Sequence, residues 1–183
     1  MNKAMMFLIL VAGFLGVFVQ AAWDLPRNLF GAPINFLPPL LVFAAFRSDV
    51  ITISLLAGLG GLWTDALSAN PFGVSVLPLF WVGLALHHWR DLILQELVYA
   101  RFVVGLFASA VVPLLTVLAI MTMGRRTVVS WALLWQWLVA VVIGGLLTPL
   151  CFWVLDMAHE RLFPRPVEPP SFRPDREIKR GRF

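Results

Sequence analysis

Asp65, Ser68 and Asn70 stand close together in the run Trp63-Thr64-Asp65-Ala66-Leu67-Ser68-Ala69-Asn70-Pro71-Phe72-Gly73. A carboxylate with a hydroxyl nearly one helical turn further on offers three kinds of chemistry: a hydrogen-bonded corner, a grip on a neighbouring helix, or part of an acid-base site. A hydrolase of the Ser-His-Asp kind also needs a histidine within hydrogen-bond reach. The chain has three, His87, His88 and His159, and the topology derived below puts all of them on the opposite side from Asp65 and Ser68. His87 and His88 are adjacent, so on a helix they point about 100° apart and do not form the i, i+4 pair of a metal site; they read as interfacial residues. Cys151 is the single cysteine, which excludes an intramolecular disulfide and a thiolate cluster and leaves a packing role. Asp91 and Glu96 are too sparse for a metal-dependent enzyme acting on a lipid or isoprenoid phosphate. The expectation is no catalytic group, no metal and no cofactor.

The elements that must position Asp65 are set by composition. With 60% hydrophobic and 13% charged residues and a mean hydropathy of +0.87, the chain reads as an all-α integral membrane protein. Uncharged stretches run over 4–22, 29–46, 50–64, 66–89, 102–124 and 127–155, several of them near the ~20 residues that cross a bilayer as helix. They predict a bundle of six transmembrane helices. The second stretch is interrupted by Pro33, Pro38 and Pro39, where missing donors force a kink, so five spans with a re-entrant second segment is the alternative. Lys3 followed by an apolar run ending Val19-Gln20-Ala21 has the outline of a secretory signal, but the run is as long as a full span, whereas signal cores are ~7–15 residues; a retained anchor is the reading.

Basic residues orient the bundle. With the amino terminus inside, eleven of fourteen lie on the cytoplasmic side: Lys3, Arg47, Arg90, Arg101 and seven in the tail, against Arg27, Arg125 and Arg126 outside. Both termini are then cytoplasmic. Trp23, Trp63, Trp131 and Trp135 fall near the outer interface and Trp89 and Trp153 near the inner one, as aromatic belts do.

In the third segment Ser54, Ala57, Gly58, Gly61 and Asp65 recur at spacings of three and four, a small-residue stripe that lets helix backbones approach in lipid. Asp65 therefore points at a neighbouring helix. The stripe Ala140, Gly144 and Thr148, beside Pro149, is the expected partner. At ~1.5 Å per residue Asp65 lies about 22 Å along a helix from Val50, in the outer part of a ~30 Å hydrocarbon core. A carboxylate at the centre of that core costs ~2.5–3.5 kcal/mol, which argues that Asp65 faces protein. The structural reading is that Asp65, Ser68 and Asn70 form a turn, punctuated by Pro71 and Gly73; the functional one is a grip on a partner helix or a cavity lining.

Between the fourth and fifth helices, Trp89, Leu92, Ile93, Leu97 and Ala100 share a helical face, opposite His88, Asp91, Gln95 and Arg101, which predicts a short helix lying in the cytoplasmic interface, against lipid or a docking partner. From Asp156 the composition changes. Pro164, Pro166, Pro169, Pro170 and Pro174 with Arg173, Arg176, Lys179, Arg180 and Arg182 divide the chain into a bundle, 1–155, and a proline-rich, basic, extended cytoplasmic tail, 156–183, able to rest on anionic headgroups. A net charge of +4 carried by loops and tail does not point to nucleic acid.

The run from Gly61 to Gly73, with its aspartate, the serine three residues on and the Pro-Phe-Gly turn, resembles the signature of the rod shape-determining protein MreD family. The length and hydropathy of residues 4–155 also fit that family's small bundles of five or six helices, whereas the basic tail departs from its compact termini. The resemblance implies a non-enzymatic subunit of the bacterial cell-elongation machinery in the cytoplasmic membrane. Its partners there are MreC, the MreB filament, and the RodA glycosyltransferase with its transpeptidase. It also implies a fold similar to the substrate-binding subunits of energy-coupling-factor vitamin transporters. On this reading Ser54, Gly58, Gly61 and Asp65 pack the bundle, and Asp65, Ser68, Pro71, Phe72 and Gly73 shape the outer rim near MreC. The alternative is a vitamin-binding transporter subunit, whose outer half would offer Asp24, Asn28, Asn35, Asp65, Ser68 and Asn70 to a ligand.

Overall fold

The computed structural model describes residues 3–22, 31, 32, 34–68, 70–92, 97–124 and 130–163. They form six α-helices and no strand: α1 (Lys3–Ala22), α2 (Leu37–Arg47), α3 (Val50–Ala66), α4 (Val76–His88), α5 (Val98–Thr122) and α6 (Trp131–Leu162). Long apolar runs without strand-type alternation satisfy their backbone groups within each helix, so helix is the expected state. α1, α5 and α6 are long and apolar enough to cross a membrane, while α2, α3 and α4 are shorter apolar helices.

The shortest helix is the centre of the molecule. Every residue of α2 from Leu37 to Phe46 is buried, and α2 packs against each of the other five helices. Those five surround it in the order α1, α3, α4, α5, α6, with the ring closing only sparsely between α6 and α1. Packing partners give the directions. Leu41 meets Gly83 and Ala45 meets His87, and Phe43 meets Phe152 while Arg47 meets Asp156, so α2, α4 and α6 run parallel. Gly13 meets Leu56 and Phe14 meets Trp63, which sets α1 parallel to α3. α5 opposes α6.

Pro38 and Pro39 do not interrupt a span. They occupy the first turn of α2, where a backbone N–H has no helical acceptor to lose and the fixed φ of proline suits helix entry. Asn35 precedes them and its Oδ1 accepts the Leu37 N–H at 3.1 Å. Pro78 likewise sits in the first turn of α4, and Pro113 and Pro149 are the prolines beyond the first turn of a described helix.

The stripe on the last helix finds a different partner from the expected one. A Cβ on Gly105 would run into Thr148, and a Cβ on Gly144 into the Ser109 side chain. Two small-residue steps of four, one on α5 and one on α6, therefore interlock, and Gly144 and Thr148 serve the α5–α6 seam rather than α3. α6 also continues past residue 155 to Leu162, since no proline intervenes before Pro164. Asp156 lies within the helix and pairs with Arg47 at 2.9 Å. The interfacial helix over 87–101 does not form as a unit: α4 ends at His88, a 3-10 turn covers Arg90–Leu92, and Ala100 and Arg101 belong to α5. Trp89, Leu92 and Leu97 are exposed as that reading required. Trp23, Asp24, Arg27, Asn28, Pro33, Ile93, Gln95, Glu96, Arg125, Arg126 and the tail from residue 164 lie outside the described residues.

Candidate functional site

Two buried rows run along α3. Ile53, Ala57, Gly61 and Asp65 form one, facing α4, and Thr52, Leu56 and Gly60 form the other, facing α1 and α2. The first row brings the backbones of α3 and α4 together: a Cβ on Gly61 would sit 2.9 Å from the Val76 Cα and backbone N. Gly58 lies about 100° away from Ala57 around the helix, and a Cβ there would meet nothing within 4 Å. Ser54 is only half-buried, its hydroxyl turned back to the Val50 carbonyl at 2.8 Å. The tight part of the predicted stripe is thus Ala57, Gly61 and Asp65, and Gly60, which sequence spacing did not single out, packs on Leu37.

Asp65 is 1% exposed. Its Oδ2 accepts the Ser75 backbone N–H at 3.1 Å and its Oδ1 accepts the Ser75 hydroxyl at 2.5 Å. Ser75 precedes α4 and makes no side-chain cap of its own, so a carboxylate from the preceding helix caps α4 instead. The backbone N–H groups at a helix start have no helical acceptor and take one from outside. Ser75 was not among the expected residues; its place directly before the apolar run from Val76 is the cap signal that would have found it.

The chain between the two helices turns in short steps. The Ser68 N–H and hydroxyl both reach the Asp65 carbonyl, at 3.3 and 3.4 Å, and the Asn70 N–H reaches the Ser68 Oγ at 3.4 Å. Val74 N–H then bonds the Pro71 carbonyl and Val76 N–H the Gly73 carbonyl, each at 3.3 Å. Gly73 has φ +86°, a left-handed conformation that strains any residue with a Cβ. The expected corner is therefore present, with Ser75 as its keystone. Around it the apolar side chains of Leu67, Phe72 and Leu77 project outward, Phe72 being 75% exposed.

The histidines lie elsewhere. Ser75 and His87 stand at opposite ends of α4, about 18 Å apart along a helix rising ~1.5 Å per residue. His87 Nδ1 donates to the Ala45 carbonyl at 3.0 Å, hooking α4 to the end of α2, and the His159 ring packs on Phe163. Near them the Arg101 guanidinium lies over the Phe152 ring, 4.7 Å from its centroid. No group of three or more His, Cys, Asp or Glu side chains able to hold a metal occurs among the described residues. The carboxylate of Asp65 is closed off and hydrogen-bonded inside the fold, an arrangement that fixes the geometry of the α3–α4 corner.

No family model, curated protein or solved structure matches the chain.

Proposed function

We propose that this chain is a non-enzymatic subunit of the bacterial cell-elongation machinery, of the MreD kind. It would cross the cytoplasmic membrane six times, with both termini cytoplasmic, and help couple MreC and the MreB filament to peptidoglycan synthesis by RodA and its partner transpeptidase. The observation that carries this reading is the Gly61–Gly73 corner. Its carboxylate is engaged entirely by Ser75, and what it offers outward is the apolar rim of Leu67, Phe72 and Leu77. A rigid apolar rim suits a protein partner better than a polar substrate.

Six crossings agree with helix directions that alternate along the chain. At ~1.5 Å per residue, α2 and α4 measure roughly 17 and 20 Å against a ~30 Å core. α2 is enclosed by protein on all sides, the circumstance in which irregular backbone at its ends is tolerated at membrane depth. The second reading, a vitamin-binding transporter subunit, is favoured by a cavity between α1, Asn35 just before α2, α5 and α6. It is weakened by a lining that, among the described residues, holds amides and no charged group.

Depleting the protein from its native cells separates the readings. Rounding of the cells with dispersed incorporation of labelled wall precursor is the expected result; unchanged shape with loss of vitamin uptake would replace the first reading by the second.

A further inference from the structure

The cavity has a volume of about 550 Å³ and lies at the end of the bundle where α1 and α3 finish. Leu114 and Leu118 of α5 and Leu134 and Trp137 of α6 form much of its wall. All four are exposed, so the cavity opens sideways onto the apolar surface of the helix ring, beside the seam where α6 and α1 barely meet. The Trp137 indole is held in place by its Nε1–H, which donates to the Ala110 carbonyl at 3.1 Å. Among the described residues, three amides, Gln20, Asn35 and Gln136, are the polar lining residues, and no charged side chain joins them.

Size and chemistry choose the occupant. A helix is ~10–12 Å in diameter, so this volume would take only about one turn of it, too little for a partner's transmembrane segment. At the ~30 Å³ that a water-sized group occupies, it takes on the order of eighteen such groups, the bulk of one long acyl chain. A charged headgroup would find no counter-charge among the described lining residues. Gln20 Oε1 is buried with no hydrogen-bond partner, an acceptor that lacks a donor. Asn35 Oδ1 is already engaged by Leu37 N–H, which leaves its NH₂ group as the donor of that amide.

We propose that this cavity holds one acyl chain of a neutral, hydroxyl-bearing glycerolipid, entering sideways from the bilayer, with its hydroxyl donating to Gln20 and its ester oxygen accepting from Asn35. The occupied cavity would fill the gap beside the α1–α6 seam and tie α1 to the rest of the ring.

The test uses the full chain in lipid nanodiscs with a monoacylglycerol carrying a photoreactive diazirine in its acyl chain. After illumination, the label is expected on the α5 and α6 peptides that contain Leu118 and Trp137, and excess unlabelled monoolein removes it. Ala140→Trp and, as a surface-tolerated second variant, Leu118→Trp each fill the cavity and should lower that labelling at least fivefold. Gln20→Leu should weaken competition by monoolein about fivefold, the worth of one hydrogen bond, while leaving labelling by a diazirine hydrocarbon without a hydroxyl unchanged. Label spread evenly over α1, α3, α5 and α6, or labelling indifferent to both tryptophan variants, would overturn the proposal. So would displacement of the probe by a water-soluble vitamin but not by monoolein, which would also favour the transporter reading. Apart from that vitamin displacement, the elongation reading does not depend on the outcome, because it rests on the corner at the opposite side of the ring.

Discussion

Asp65 and Ser75 make a two-bond clasp, and the clasp can be taken apart one atom at a time. Asp65→Ala removes both bonds and leaves two donors of Ser75 without their acceptor, so it is expected to lower stability by ~1–3 kcal/mol. Ser75→Ala, which keeps the backbone donor, should cost about 1 kcal/mol, and the double variant less than the sum, because the two side chains share one interaction. Thermal unfolding of the purified protein in detergent measures all three; strict additivity would contradict the clasp. In cells, Asp65→Ala should reach the membrane at the normal level yet recover less of its partners. Equal recovery at equal level would count against a role for the corner in assembly.

Two glycines one turn apart on α3 give a sharper contrast. Gly61→Ala drives a Cβ into the backbone at Val76 and is expected to cost ~1–3 kcal/mol through overpacking. Gly58→Ala meets open space and should be neutral or stabilising by up to ~1 kcal/mol, since alanine is the better helix former. A reversed order of the two melting temperatures would refute the assigned register of α3. Sequence spacing alone places both glycines on one stripe. What separates them is about 60° of rotation around the helix, which matters only once the position of α4 is known.

At the scale of elements, hydropathy found where helices lie and missed how they are arranged. Lipid tails are as apolar as leucine, so a segment buried in protein and one facing lipid look alike in composition. That is why α2, whose ten residues from Leu37 to Phe46 are all buried, read as the weakest span when it is the hub. Its prolines misled for a related reason: whether a proline initiates or breaks a helix depends on where the helix starts, and Asn35, which marks the start by receiving Leu37 N–H, gives an ambiguous signal inside an apolar run. The stripe on α6 was legible as a stripe, but its partner depended on the complementary Gly105 and Ser109. Because Phe43 is fully buried at the hub against Phe152, Phe43→Ala should cost ~3–5 kcal/mol, more than the same change at the exposed Phe7. Comparable losses at the two positions would deny α2 its central place.

For the whole molecule, the ion pair seen among the described residues is peripheral. The Arg47–Asp156 pair ties the ends of α2 and α6 with side chains 42% and 32% exposed, and pairs so open to solvent are worth ~0–1 kcal/mol. Arg47→Ala is accordingly expected to change stability by less than Phe43→Ala. Deletion of residues 164–183 begins just beyond α6 and removes none of the described packing, so insertion and melting temperature should persist. Loss of the protein from the membrane would contradict a bundle complete without that segment. The proposed partners, unlike the helices, rest on the Gly61–Gly73 run alone, because recognition between proteins is written in two surfaces and one chain carries only its own. The most direct test of the account is to purify the tagged protein from its native membrane in mild detergent and identify by mass spectrometry what accompanies it. Recovery of MreC or the RodA synthase is the predicted result, and recovery of an ATPase pair with a transmembrane coupling subunit would contradict it.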